Sequence, residues 1–537
     1  MKSYDKVKLI VHSNLPVSIL IFVFIILSCE ISFGKVPDSD LFEIPAPVLK
    51  EDRGLSAIKF SDCGKSNLLH KQNFLSTAAP KKNSSGISAK KIILIDRSGI
   101  SSSKFCTPKP DFKYWESEKR FGVALLELGF SQFFPWALAD WVMKPGWSVV
   151  GSNVWWYNIS HGWDYDGDSF LTNNFTHPYH GNFYFNSARS NGFNFWESVP
   201  FPFVGSLFWE YFGEIYRPSF NDWINTSVSG FNLGEMAYRV TNLITDNTAR
   251  GSKRIWQEIF AGILNPFRAF SRLISGEAWK VHPNTALYKQ PVKIYVDGGM
   301  RRIVERGSDI LDSASVEGLL GMKIRYGDVL ESDLKTPFSS FTAWGHASNG
   351  YSFLTELHSL GHLTGWKLGG NRFHKEIFSI NVSYDFLINP AFEFGAPSIT
   401  FNFTLKNMLD ENTYVRSDLG LVAVLMGSTS TEYFYGYDGR DYDLGPGPGI
   451  RIISSVTNGN WDYISLSYSG SMIFTMAGTP DSKHYLHHAI LEGQLPINDY
   501  FALGLSMEYY WRNSFYPHNV DVSRGSPIGR VFFITRL

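Results

Sequence analysis

From about residue 292 to its end, the chain alternates apolar and polar side chains with a period of two. In Ser398–Lys406, Ile399, Phe401, Phe403 and Leu405 fall on one face, and Ser398, Thr400, Asn402, Thr404 and Lys406 on the other. Phe378, Ile380, Val382, Tyr384 and Phe386 oppose Ser379, Asn381, Ser383 and Asp385 in the same way. Phe501, Leu503, Leu505, Met507, Tyr509 and Trp511 oppose Ala502, Gly504, Ser506, Glu508 and Arg512. Successive side chains of a strand point to opposite faces, so each run reads as a two-faced strand. The runs are near the roughly 9–11 residues that a tilted membrane-crossing strand needs. A soluble β-sandwich alternates too. Here, however, the strands are long, the apolar face is continuous and aromatic, and the chain closes on an amphipathic run, Gly529–Leu537. About 12 strands are expected, an even number as bacterial barrels favour. The fold class is an α+β membrane protein: a helical N-terminal domain followed by an antiparallel transmembrane β-barrel.

Composition agrees. Of 537 residues, 18% are charged and 16% aromatic, with a net charge of −1. Near-neutral charge gives no support for nucleic acid as a partner. Aromatic residues are expected where a barrel meets the membrane interface. Leu537 stands where the terminal strand of such barrels usually carries an aromatic residue.

Four segments follow. Residues 1–34 read as a cleaved signal peptide: Lys2, Lys6 and Lys8 precede the apolar run Leu15–Leu27, and Ser32-Phe33-Gly34 offers small residues for cleavage. A lipidated Cys29 is the competing reading. Residues 35–110, rich in Ser, Lys and Pro, read as a poorly structured periplasmic tether. Cys63 and Cys106 lie in it and are the disulfide candidates of an oxidising compartment. Residues 111–285 show helical periodicity, with helices expected over 115–144, 178–191, 194–214, 220–246 and 252–274, and Ser219 as an N-cap. No later run has 18 uninterrupted apolar residues, as a helical span requires. Residues 286–537 form the barrel.

The segment Trp163–Arg239 is apolar enough to be buried, yet carries many polar groups, which are costly unless paired. TNNFTHPYHGNFYFNSARSNGFNFWES, followed by WEYFGE and LGEMAYR, resembles a bacterial family known as domain of unknown function 3943. The resemblance covers about Trp163 to Arg272. It implies an envelope protein of Gram-negative bacteria with no assigned activity.

Within this segment Glu210 and Glu214 are four apart and would share a helix face. His177 and His180 are the nearest bases, so these four are the candidate catalytic set. No G-x-S-x-G or H-E-x-x-H motif accompanies them. The structural alternative is a buried ion network of Arg189, Glu197, Glu235 and Arg239. Asp164, Asp166 and Asp168 alternate as in a calcium loop, but the glycine falls at the fourth position and Phe175 replaces the bidentate glutamate. They read instead as a turn capping the next helix. No metal or cofactor is therefore expected. Arg250, Lys253, Arg254, Arg268 and Arg272 read as a solvated basic face. His346, Glu356, His358 and His362, with His484, His487 and His488, read as lumen or rim residues of the barrel.

The expected location is the outer membrane. Outer-membrane lipid is the expected partner, with lipopolysaccharide or another envelope component beside it. Three functions stay open: a structural or binding module whose helical domain caps, plugs or docks at the barrel, a lipid- or cell-wall-processing hydrolase or transferase, and a small-solute pore.

Overall fold

A computed structural model describes residues 119–537, apart from 144–146, 283–289, 305–312 and 435–439. The signal peptide, the tether and the Cys63–Cys106 pair lie outside the described residues.

Helices come first: α1 (Phe121–Leu138), α2 (Ser152–His161), α3 (His177–Arg189), α4 (Phe195–Ser198), α5 (Pro200–Phe212), α6 (Phe220–Ile224), α7 (Gly230–Ile244), α8 (Gly251–Leu264) and α9 (Pro266–Ile274). Short π-helical turns, Thr172–Thr176 and Asn225–Ser229, lead into α3 and α7. Pro200 and Pro202 do interrupt the second expected helix, and they do so by opening α5, where a missing N–H costs nothing.

Twelve antiparallel strands follow and close into one barrel, β1 (Val292–Val304), β2 (Ala314–Tyr326), β3 (Phe341–Ser348), β4 (Leu354–Gly370), β5 (His374–Ile388), β6 (Glu393–Met408), β7 (Thr413–Ser430), β8 (Tyr442–Asn458), β9 (Trp461–Phe474), β10 (Lys483–Pro496), β11 (Phe501–Phe515) and β12 (Val522–Arg536). Closure joins β1 to β12 and leaves no free edge. The alternation read from sequence is the inside–outside alternation of this wall. Phe401 and Phe533 are exposed, while Thr404 and Arg530 are buried. The strands are the membrane-spanning segments.

Side chains that bond across to non-adjacent strands must face the lumen. Arg325 on β2 pairs with Asp462 on β9, and Arg451 on β8 lies 2.8 Å from Asp385 on β5. Arg530 Nη1 donates to Glu508 at 2.9 Å, and Arg530 Nη2 lies 3.0 Å from His346 Nε2 on β3. His358 Nδ1 lies 2.7 Å from Asp385. A second layer is apolar: Ile303, Leu387, Phe392, Val424, Ile473, Leu486, Tyr510 and Ile528 form one buried cluster. They come from β1, β5, the β5–β6 turn, β7, β9, β10, β11 and β12, so they meet inside the barrel. The side chains of both layers project into the lumen.

Because Asp385 faces in, its neighbours Tyr384 and Phe386, together with Val382, face out. All three are buried, under the helices. Phe170 and Phe175 pack on Phe386. The Tyr384 hydroxyl donates to the Asn174 carbonyl. Asn232 Nδ2 donates to Ser359 Oγ at 2.8 Å, and Ser428 Oγ to Asn174 Oδ1 at 2.9 Å. The helical domain therefore docks on the outer wall of the barrel. It does not plug the lumen.

Beside apolar core residues such as Phe185, Phe195 and Phe231, that domain buries many polar groups and exposes many apolar ones. Its interior holds Asn182, Asn186, Asn191, Ser206, Glu210, Asp222 and Glu235. Its surface shows Leu126 (74% exposed), Trp156 (71%) and Val142 (70%). Residues Phe121–Val142 form a helical run long and apolar enough to cross a bilayer by length and composition. The sequence reading missed this because Glu127 and Gln132 break the apolar run. In the fold both turn inward, Glu127 accepting from Asn191 Nδ2 at 2.9 Å and Gln132 donating to the Gly205 carbonyl at 2.7 Å.

Candidate functional site

The polar interior of the helical domain separates into two centres. In the first, Glu235 on α7 takes Arg189 Nε at 2.7 Å and Arg239 Nε at 2.8 Å. Arg239 Nη2 also donates to the Pro337 carbonyl of the β2–β3 loop at 2.8 Å, which ties the centre to the barrel. The two guanidinium groups flank the buried Glu235 carboxylate and balance its charge. Glu197 does not join this network. It is the third residue of α4 and closes a capping box with Asn194, while Lys119 lies 2.8 Å away at the surface. The N-x-x-E spacing just before the helix was the signal for that role.

The second centre is acidic. The segment before α3 crosses the start of α6: Asp164 N donates to the Pro218 carbonyl at 2.8 Å, and Phe220 N to the Asp164 carbonyl at 3.0 Å. This brings Asp166 and Asp168 beside Ser219, Asn221 and Asp222. Asp166 N donates to Ser219 Oγ (3.2 Å) and to Asn221 Oδ1 (3.1 Å). Ser219 N donates to Glu210 Oε2 at 2.7 Å, and Asn221 Nδ2 to Asp222 Oδ1 at 2.9 Å. His177 Nε2 lies 3.8 Å from Asp222 Oδ1. From the barrel, the Tyr442 hydroxyl donates to the Asp168 carbonyl at 2.6 Å and Arg440 to the Asp166 carbonyl.

Of the four catalytic candidates, His177, Glu210 and Glu214 belong to this centre. Glu214 lies beyond the end of α5 at Phe212, so the pair does not share a helix face, yet the two carboxyls remain in contact. His180 is directed elsewhere: its Nε2 lies 2.8 Å from the Ser131 carbonyl, and its ring packs on Trp209.

Asp222, Asn173 and Tyr442 escaped the sequence reading. Tyr442 stands 269 residues from Asn173, and nothing local links them. The aspartate turn exists, since Asp168 N donates to Asp166 Oδ1 at 2.9 Å, but Ser169 Oγ is the acceptor for Thr172 N in the first helical turn. The basic residues are also reassigned. Arg254 donates to the Ala278 carbonyl at 3.1 Å, Arg268 to Thr245 Oγ1 at 3.1 Å, and Arg272 pairs with Glu258 at 2.8 Å, so three of the five are internal braces.

A closed antiparallel barrel with an apolar outer face is the architecture of outer-membrane proteins. The chain is an outer-membrane β-barrel with a helical domain docked on its wall. Residues 162–267 match the family model described as domain of unknown function (DUF3943), the family that the sequence resembles. No curated protein matches the chain. Solved structures similar to it include the NanC porin, at 9% identity over 45% of this chain and 98% of that one, TM-score 0.24. The outer membrane channel DcaP of Acinetobacter baumannii is 8% identical over 46% of this chain and 96% of that one, TM-score 0.22. The toluene transporter TodX of Pseudomonas putida is 8% identical over 46% and 91%, TM-score 0.18.

Proposed function

We propose that the barrel is a sealed anchor and that the helical domain works in the lipid phase beside it, as a module that binds outer-membrane lipid. A cleaved signal over residues 1–34 would deliver the chain to that membrane. The observation that carries this reading is the surface of the helical domain, which exposes apolar side chains such as Leu126, Val142 and Trp156 while many polar groups are buried against one another. Such a surface is unfavourable in water at about 25 cal/mol for each Å² of apolar area, and is matched by acyl chains. Two layers of inward side chains, one of ion pairs and one apolar, support this reading over a wide solute pore. Against the hydrolase reading, His180 is already committed to the Ser131 carbonyl.

The test is photocrosslinking in cells, with a diazirine amino acid placed at Trp156 or at Tyr384. At Trp156 the expected product carries the mass of one phospholipid or lipopolysaccharide. At Tyr384, which faces out but lies beneath the helices, an internal crosslink to the helical domain is expected. A soluble periplasmic protein captured at Trp156 would overturn the reading.

A further inference from the structure

Helices α8 and α9 meet at Asn265, and their residues line a surface groove of about 510 Å³. We propose that this groove holds one acyl chain of an anionic glycerophospholipid, with the lipid phosphate over the first turn of α8. The site rests on the lipid-phase location proposed above, and it names the lipid and its seat.

Small residues make the space. Gly262, Ala269 and Ala278 line the groove with nothing longer than a methyl group, while Ile259, Leu273 and Trp279 wall it. Its volume lies in the range of about 300–1,000 Å³ usual for small-molecule sites. At roughly 30 Å³ per methylene, about the share of one water in the liquid, there is room for one chain and not for two. The charged lining side chains are already committed. Arg254 Nε lies 3.0 Å from Glu258 Oε1, and Glu258 also takes Arg272 at 2.8 Å. The groove therefore offers an occupant apolar contact and few hydrogen bonds. That suits hydrocarbon and disfavours the polar backbone of a peptide.

Charge gathers at one end. Arg254 donates to the carbonyls of Ala278 at 3.1 Å and Glu277 at 2.6 Å, which holds the turn after α9 against the start of α8. Lys280 thereby joins Arg250 and Lys253, and all three are exposed. Asp246 and Glu277 lie 4.0 Å from Lys253 and Lys280. With Arg254, Arg272 and Glu258 included, five cations meet three carboxylates. No side chain caps α8, and its first turn holds no acidic residue, so its N–H groups add to the positive end. Trp256 and Trp279 are exposed near the same end, and indoles beside Lys and Arg mark the headgroup level of a membrane. A lipid phosphate at that level is drawn to the cations. Ile255, Ile259 and Ile263, spaced by four, carry the groove along one face of α8 away from them.

The test is native mass spectrometry of the full-length protein, purified in detergent, with phosphatidylglycerol or phosphatidylcholine added as the probe. One phosphatidylglycerol per chain is expected to stay bound, retained about fivefold more than phosphatidylcholine. Ile259→Trp fills the groove and should lose both lipids. The double variant Arg250→Gln, Lys253→Gln should keep a lipid but retain the two kinds equally. Phe401→Ala, on the barrel wall, should match the wild type. Circular dichroism melts report folding of each variant, and Ile255→Trp, at a more exposed position, serves if Ile259→Trp fails to fold. No retained lipid, equal retention of the two lipids by the wild type, or undiminished retention in folded Ile259→Trp or Ile255→Trp would overturn the proposal. A dimer of the chain that Ile259→Trp dissolves would overturn it too, by giving the groove to a second copy. If lipid is still crosslinked at Trp156 in any of these events, the failure belongs to this site and not to the lipid-phase location.

Discussion

Glu235 is enclosed by Arg189 and Arg239 and has no exposure. Removing one partner of a buried ion pair strands the other and costs about 3 to 5 kcal/mol. Glu235→Gln and Arg239→Met are therefore expected to unfold at markedly lower temperature and to accumulate poorly. Glu210 should behave oppositely. It sits among carboxyls, and a glutamine oxygen can still accept from Ser219 N. Glu210→Gln is expected to melt at or above the wild-type temperature by circular dichroism, and the reverse order of these variants would contradict the two-centre description. The residue types of both centres were visible in the sequence, but their partition was not. Which glutamate meets an arginine depends on where α3, α5 and α7 cross, and spacing within one helix does not report that.

Helix crossing is set by small residues. A Cβ at Gly181 on α3 would stand 1.8 Å from the Thr226 carbonyl oxygen and 2.9 Å from the Gly230 Cα. A Cβ at Gly234 would stand 2.7 Å from the Phe185 ring. Gly181→Ala forces the elements apart, and overpacking of this kind costs at least about 1 to 3 kcal/mol. Gly129→Ala, in the open middle of α1 with nothing within 4 Å, should gain about 1 kcal/mol of helix propensity. Paired thermal melts of the two variants check this, and equal shifts would contradict the close approach at Gly181. Ser227, Gly230, Gly234 and Ala237 recur along this stretch of the chain, and small residues at such spacing let a neighbouring helix approach closely. The long helices and the strand alternation were legible because burial imposes a period on them. The π turns and α2 were not, because neither carries a periodic apolar face long enough to register.

On the scale of the whole molecule, the place of the helical domain was the hardest feature to read. Val382, Tyr384 and Phe386 alternate as a lipid-facing run does, and an apolar side chain suits a helix as well as an acyl chain. The outward Ser359 and Ser428 mark a covered wall, but register shifts at His346/Ala347, His362/Thr364 and Gly395/Ser398 blur the inside–outside parity around them. The central claim is that this domain lies in the bilayer beside the barrel. Spin labels in proteoliposomes test it most directly, placed one at a time at Leu126, Trp156, Phe401 and Lys253 in a background without native cysteines. Power saturation against oxygen and a water-soluble nickel chelate then reports each environment. Labels at Leu126 and Trp156 are expected to match Phe401 on the barrel wall, accessible to oxygen and shielded from nickel. Nickel accessibility at both positions equal to that at exposed Lys253 would contradict the account.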